Sequence, residues 1–343
     1  MESVNYISVS GFSASGSSAV VDLLKEFSGV YECNAEIRLI QDPYGIRQLE
    51  RNLVDDWNYL TSSAALNDYL WLANKCSRSG GGRFPLSRAG LSYSKTICKD
   101  FMKITNEYVQ KLSRYSYHGD YYYLKFKKPY IKYVFDRCLL GFDMLLKGKL
   151  HLSSSIGKKL YFSTPTREEF EAATKAYFDA LFADHFDENG NGCVILDQAI
   201  SVSDPDAIDR YFRNGKMIIV DRDPRDMYVD DIVNWGGGFS DDVASAKMGE
   251  QYVLKHKAMH RSICESDKVL YLRFEDVVCD YENSVRRICD FLGFSIEDHV
   301  KQRTFLIPEQ SAKNVGIWRQ HYEKFKDAID VIEEKLTEYC RAD

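Results

Sequence analysis

The sequence predicts an α/β fold, a parallel sheet with helices on both faces, interrupted by a largely helical, aromatic-rich insertion. Three observations carry this. An apolar run, Tyr6–Ser10, meets the small-residue stretch Gly11-Phe12-Ser13-Ala14-Ser15-Gly16-Ser17-Ser18 and then an amphipathic helix bearing Val20, Val21, Leu23, Leu24 and Phe27. The runs Cys193–Leu196 and Met217–Val220 are apolar throughout and separated by a helical stretch, the pattern of strands covered on both faces. The segment Tyr117–Tyr130 instead interleaves tyrosines and Phe126 with Lys125, Lys127 and Lys128, a composition foreign to a buried parallel strand.

The first of these is a phosphate cradle in sequence form. A strand, a Gly/Ser turn and a helix N-terminus leave first-turn N–H groups unpaired and partially positive. Gly11 and Gly16 permit the tight backbone, while Ser15, Ser17 and Ser18 offer hydroxyls. The Gly-x4-Gly spacing is that of the nucleotide-binding P-loop, with Ser17 where that motif has lysine. The missing lysine argues against an ordinary ATPase or GTPase; a plain turn without a ligand is the bland alternative.

Composition narrows the class. With 343 residues, 45% of them apolar, the chain can bury a substantial core as a single domain, 1–343, with residues 76–160 as a candidate acceptor-binding insertion. A net charge of −6 speaks against a general nucleic-acid binder. Nine cysteines without metal-ligand spacing read as reduced thiols, so no metal site is expected. No run approaches a membrane span and the N-terminus has no signal-peptide pattern, which points to a cytoplasmic enzyme.

In chain order, a second strand is expected near Val30–Cys33, alongside the first, followed by Glu36 and Arg38 near the cradle. Glu36 is a candidate general base and Arg38 a candidate anion contact, against the alternative of a surface ion pair. Helical periodicity covers 46–75, and a Gly-rich loop with Arg78 and Arg83 covers 77–85. A helix is expected over 95–115. The aromatic–lysine segment after it suits stacking on sugars or bases, or a strand with solvated lysines. Thr166 caps a helix with an acidic first turn. The stretch 187–192 resembles a calcium loop only superficially and reads as a turn. Asp197 and Arg222 fall at C-terminal ends of strands, where an open parallel sheet forms its ligand crevice, and Pro224 opens the next helix. An arginine at that point offers a five-donor fork suited to phosphate.

Four pieces in one order resemble the sulfotransferase family that uses 3′-phosphoadenosine 5′-phosphosulfate (PAPS), with bacterial carbohydrate-type members nearest in pattern. They are the cradle at 11–18, Val220–Asp226, Tyr271–Val277 with Phe291-Leu292-Gly293, and Lys313–Arg319. The likeness spans roughly 1–40 and 190–320. It implies a P-loop-type, sulfotransferase-like fold and a donor held by Gly11, Ser13, Ala14, Ser15, Gly16, Ser17 and Ser18. It further implies a 3′-phosphate on Arg222 and position 230, closure by Val315, Gly316, Trp318 and Arg319, and Glu36 as catalytic carboxylate. The implied product of the donor is adenosine 3′,5′-bisphosphate, and the implied acceptor a hydroxyl of a small molecule or saccharide. Two positions depart from the family: Ala14 stands where an Arg or Lys is usual, and Asp230 where a Ser is usual. A kinase-like transferase on the same fold, or a nucleotide binder without chemistry, are the alternatives. The sequence leaves the oligomeric state open.

Overall fold

A computed structural model describes residues 4–33, 35–80, 90–119, 121–147, 149, 158–188, 190–236, 242–263 and 265–341. Residues 81–85 of the Gly-rich loop, Asn34, Asp120 and Asn189 lie outside that set. Seven strands occur among the described residues: β1 (Tyr6–Gly11), β2 (Val30–Glu32), β3 (Tyr115–Gly119), β4 (Lys158–Phe162), β5 (Cys193–Asp197), β6 (Gly215–Asp221) and β7 (Val269–Arg273). The chain divides into two compact units, Met1–Gln41 with Lys95–Lys99 and Phe178–Asp343, and Asp42–Ser94 with Asp100–Tyr177.

The first unit is built on a five-stranded sheet in the order β2-β5-β1-β6-β7, parallel at every pairing. β1 is central, with Tyr6 opposite both Val194 and Gly215. Its position follows from its residues: Tyr6 through Ser10 are all buried, as a strand flanked by two others and covered on both faces must be. The expected second strand is β2, but it pairs with β5 at the sheet edge and not with β1. Three residues of intermediate burial suit an edge, whereas the apolar run of β5 demands the interior.

One face of the sheet is closed by Val20, Leu23, Leu24 and Phe27 of the first helix (Ser17–Leu24 and the turn after it) together with Ile288 and Leu292 of helix Tyr281–Leu292. That second helix ends at Gly293, whose φ of 77° is the left-handed conformation of a C-cap. On another side, helices Pro224–Val233, Ala246–Met259 and Tyr322–Lys335 enclose Val229, Val253, Phe325, Ala328, Ile329 and Ile332.

The second unit is mostly helical and contains the antiparallel hairpin β3–β4. The helical periodicity over 46–75 resolves into three pieces, Ile46–Glu50, a π-helical turn Arg51–Asp55, and Tyr59–Ser77. The break has a local cause: the Asn58 side chain accepts the N–H groups of Leu60 (2.9 Å) and Thr61 (3.4 Å), starting a new helix. The helix expected over 95–115 is likewise shorter, Phe101–Leu112, and the chain beyond it turns extended as β3.

Much of this unit's aromatic content is core. The rings of Tyr108 and Tyr177 stack with centroids 4.5 Å apart. Their hydroxyls meet Thr174 and Thr105, each at 2.9 Å, so the phenol oxygens are satisfied where they are buried.

Candidate active site

The site lies at the carboxyl ends of β1, β5 and β6, where a parallel sheet presents its crevice. A cavity of about 650 Å³ there is lined by residues 11–19, Asp22, Glu36, Arg38, Asp197, Gln198, Arg222, Asp230, Asn234, Trp235, Phe274, Ser311 and Asn314. Chain segments far apart in sequence therefore converge on the small-residue turn.

The turn is built for close backbone approach. A Cβ on Gly11 would lie 2.2 Å from Ser15 Oγ and 2.7 Å from the Val220 carbonyl oxygen. Gly16 has φ of 80°, and a Cβ there would sit 2.4 Å from the Phe274 ring. Ala14 also occupies the left-handed region, at φ 60°. Gly16 caps the helix Ser17–Leu24 without any side-chain hydrogen bond, so the helix opens on bare N–H groups. Ser15 Oγ is buried with no partner among the described residues, an orphan hydroxyl in the cradle. A glycine-permitted turn, bare N–H groups and an orphan hydroxyl fit a phosphate or sulfate group.

Gln198, unremarked in the sequence, occupies the floor. Its φ is 52°, and its amide donates to Ser17 Oγ at 2.8 Å while its oxygen accepts the Gly11 N–H at 3.5 Å. Only the positive φ turns the side chain back from β5 onto the cradle, and sequence carries no signal for that.

Arg222 is buried at the end of β6. Its Nη1 donates to Asp230 Oδ2 at 2.6 Å and to the Ala14 carbonyl at 3.0 Å, and its Nη2 donates to the Asn314 carbonyl. Asp230 in turn accepts from Asn234 Nδ2 at 2.6 Å. The carboxylate at 230 thus occupies the guanidinium that a ligand phosphate would need, and the arginine ties the turn at Ala14 to the segment at Asn314. Ser13 donates to Asp231 at 2.6 Å on the outer side of the turn.

Glu36 and Arg38 both reach the cavity and pair with each other at 3.2 Å. They lie outside any strand, in an irregular segment that leads into a turn. The segment is pinned instead through the Ile37 N–H, which donates to the Asp197 carbonyl at 2.8 Å, and the Gln41 amide, which donates to the Gln198 carbonyl. This brings Glu36 beside Asp197. Burial, and then the charges of Glu36, Glu32 and Asp22, push the Asp197 carboxyl up to about 6.

Of the later segment, Ser311 and Asn314 line the cavity, whereas Val315, Gly316, Trp318 and Arg319 do not. Val315 packs on the core beside the first helix, and Trp318 on the cluster around Phe325. Asp226 holds this segment, accepting the N–H groups of Gly316 (2.8 Å) and Trp318 (3.0 Å).

Behind the turn, Phe12 stacks on His260 at 4.1 Å and His260 stacks on His256 at 3.7 Å. Ligating atoms of Asp221, His256 and His260 come within 4.8 Å of one another, a metal-like spacing. Asp221 and His260 are otherwise bonded, and His260 Nδ1 also meets the His256 carbonyl at 2.8 Å. Asp221 accepts from Tyr271, pairs with His260 Nε2 at 3.0 Å and accepts the Arg222 N–H at 2.8 Å.

Both ring nitrogens of buried His256 lack a partner among the described residues, and burial followed by the His260 charge pushes its pKa down to about 4. The folded protein therefore keeps this ring neutral while the unfolded chain protonates it below about 6.5. Stability is full above pH 6.5 and falls by roughly 3 kcal/mol as pH drops toward 4. Chemical denaturation of His256→Phe across this window should show a correspondingly flatter pH dependence. An unchanged slope would assign the loss to other groups.

The fold and site define an α/β protein with a glycine-permitted turn and a bare helix N-terminus at the mouth of a parallel sheet. Residues 147–298 match the model of a family described as "Sulfotransferase family". Sulfuryl transfer is that family's chemistry. No curated protein matches the chain. Among solved structures, the chain is similar to the sulfotransferase domain of the Synechococcus PCC 7002 olefin synthase, at 14% identity over 97% of this chain and 94% of that one, with a TM-score of 0.39. It is also similar to the sulfotransferase domain from the curacin biosynthetic pathway (15% identity, 98% of each chain, TM-score 0.38). A third is sulfotransferase STF1 of Mycobacterium tuberculosis H37Rv (10% identity, 98% of this chain and 77% of that one, TM-score 0.39).

Proposed function

We propose that the protein transfers a sulfuryl group from PAPS to a hydroxyl of an acceptor, a carbohydrate being the class that the sequence favours. The observation that carries this reading is the cradle. Its bare helix N-terminus and orphan Ser15 hydroxyl face a cavity that also holds Arg222 and, among its four carboxylates, Glu36 and Asp197. The donor, when bound, supplies the activated sulfuryl group.

The residues divide the remaining work. The N–H groups at Gly16, Ser17 and Ser18, with the Ser15 and Ser17 hydroxyls, stabilise negative charge that grows on the leaving phosphate side. Arg222 is the cation suited to a 3′-phosphate, and Trp235 and Phe274 offer aromatic surface in the same cavity. Ala14 brings no cation to the turn, and Arg38, which pairs with Glu36 at the cavity, is the cation assigned to complement the anion from that side. Glu36 takes the acceptor proton as the hydroxyl attacks in line. We place the protein in the cytoplasm and the acceptor-binding surface in 76–160.

Asp197 gives a second reading of the base, because a carboxyl near 6 is better matched to neutral pH than an ordinary one. The two readings separate by mutation. Glu36→Gln is expected to lower kcat at least about 100-fold while leaving binding of adenosine 3′,5′-bisphosphate intact. In the parent protein, activity limited by Asp197 would fall tenfold per pH unit below about 6, since the base must be ionised. That acid limb should vanish in Asp197→Asn. Unchanged turnover in Glu36→Gln, with the limb abolished by Asp197→Asn, would transfer the role to Asp197.

The donor is tested by calorimetric titration with adenosine 3′,5′-bisphosphate, adenosine 5′-phosphate and ATP. Preference for the bisphosphate supports the reading. Preference for ATP with magnesium would replace it with a kinase-like transferase, and bisphosphate binding without transfer to any acceptor would leave a nucleotide-binding protein.

A further inference from the structure

Within 76–160, the second unit carries an unusually apolar helix surface. Helix Tyr130–Leu145 exposes large apolar side chains along its length, from 55% for Phe142 to 84% for Ile131, with Tyr130, Phe135, Met144 and Leu145 between. Soluble surfaces rarely expose so continuous an apolar strip. At about 100° per residue, Ile131, Val134, Phe135, Cys138, Phe142 and Leu145 fall within an arc of roughly 100°, and Tyr130 and Met144 lie beyond it, to either side of Arg137.

Charge is sorted around that arc. The only acids between 130 and 149, Asp136 and Asp143, are buried on the opposite side of the helix. The exposed charged groups of the same stretch, Lys132, Arg137, Lys147 and Lys149, are all basic. Lys132 and Arg137 lie about 60° beyond the two edges of the apolar arc, one on each side. Just before the helix, Tyr122 and Phe126 are also exposed.

We propose that this helix lies flat on an anionic phospholipid surface, its apolar arc among the acyl-chain boundaries and its flanking Lys132 and Arg137 at the head groups. An apolar face edged on both sides by basic side chains is the layout of an interfacial helix, because long basic stems follow apolar surface while their heads reach phosphate. The helix is too short to cross a bilayer, and no helix among the described residues is long and apolar enough to do so. A second copy pairing through the same helix fits less well, since it would bring the same basic flanks together while the two acids of that helix are buried. An acidic protein would satisfy the bases but has no need of an unbroken apolar arc.

The test is flotation of the full chain with vesicles of phosphatidylcholine alone, or with about 30% phosphatidylserine, at low and high salt. At least tenfold more protein should float with the anionic vesicles at about 0.1 M salt, and this excess should collapse at about 0.5 M. Each basic residue near such a surface contributes about fivefold to partitioning, so K132E/R137E should lose at least tenfold. F135S/F142S/L145S should lose at least as much. These surface substitutions should leave the thermal melt in place, and the charge variant alone suffices should the triple variant misfold. Absence of flotation, or equal flotation with both vesicle types, would overturn the proposal. So would a vesicle-free dimer, seen by light scattering, that the triple variant converts to monomer, and so would vesicle binding that neither variant weakens.

Discussion

Glu26→Ala should cost roughly 3–5 kcal/mol of stability, the loss found when a buried charge network is stripped of one partner. Glu26 is fully buried beneath the first helix. Its Oε2 accepts from the Tyr281 hydroxyl at 2.6 Å and pairs with His299 Nε2 at 2.8 Å, while Oε1 accepts the N–H groups of Phe305 and Leu306, each at 3.1 Å. Alanine removes the acceptor of four groups at once, three of them on the buried residues Tyr281, His299 and Leu306. Burial alone would raise this carboxyl, but Tyr281, His299 and the two N–H groups outweigh burial and hold it below the ordinary range. Its contribution is therefore present above the unfolded carboxylate pKa and is lost as pH falls through the lower folded value.

The network also positions the site. It fastens residues 299–306, from which the chain runs into Pro308–Ser311 and the cavity residue Asn314. Glu26→Gln keeps an oxygen for the two N–H groups and should lose only about 1–2 kcal/mol. Urea denaturation at pH 7 reads both values. A loss under about 1 kcal/mol for Glu26→Ala would mean that the 299–306 segment is held by something else.

The central strand, the cradle and Arg222 were legible because each has a local signature: an apolar run, small residues at fixed spacing, an arginine at a strand end. Glu26 was not legible. On the sequence it is one of the polar positions of an amphipathic helix, and its partners lie more than 250 residues away. Gln198 was missed for a different reason, a positive φ at a residue type that does not announce one. The aromatic segment was ambiguous because tyrosines that stack on each other, as Tyr108 and Tyr177 do, have the same composition as tyrosines that stack on a sugar. The placement of β2 at the sheet edge depended on β5, which follows some 160 residues later and takes the position beside β1. Asp230 was visible as a departure at position 230, but the structure shows its consequence, a carboxylate seated on the arginine.

That pairing yields the second large effect. Arg222→Met should reduce affinity for adenosine 3′,5′-bisphosphate by roughly 30- to 1000-fold, the scale of losing a buried charge-assisted contact, and should abolish discrimination against adenosine 5′-phosphate. Asp230→Ser should act in the opposite direction on binding. With its carboxylate gone from 2.6 Å, Arg222 keeps the carbonyls of Ala14 and Asn314 and the more distant Asp226 carboxylate at 3.9 Å, so the ligand-free protein should lose about 1–3 kcal/mol. The freed guanidinium should then bind the bisphosphate about tenfold more tightly and recover that stability on saturation, while affinity for the 5′-phosphate stays within about twofold. The ratio of the two affinities is the informative quantity. Arg222 also holds the turn to the Asn314 segment, so a merely loosened cavity would weaken both nucleotides together and leave the ratio unchanged. A ratio unmoved in both variants would mean that Arg222 braces the cradle and that the 3′-phosphate, if bound at all, is held by another group.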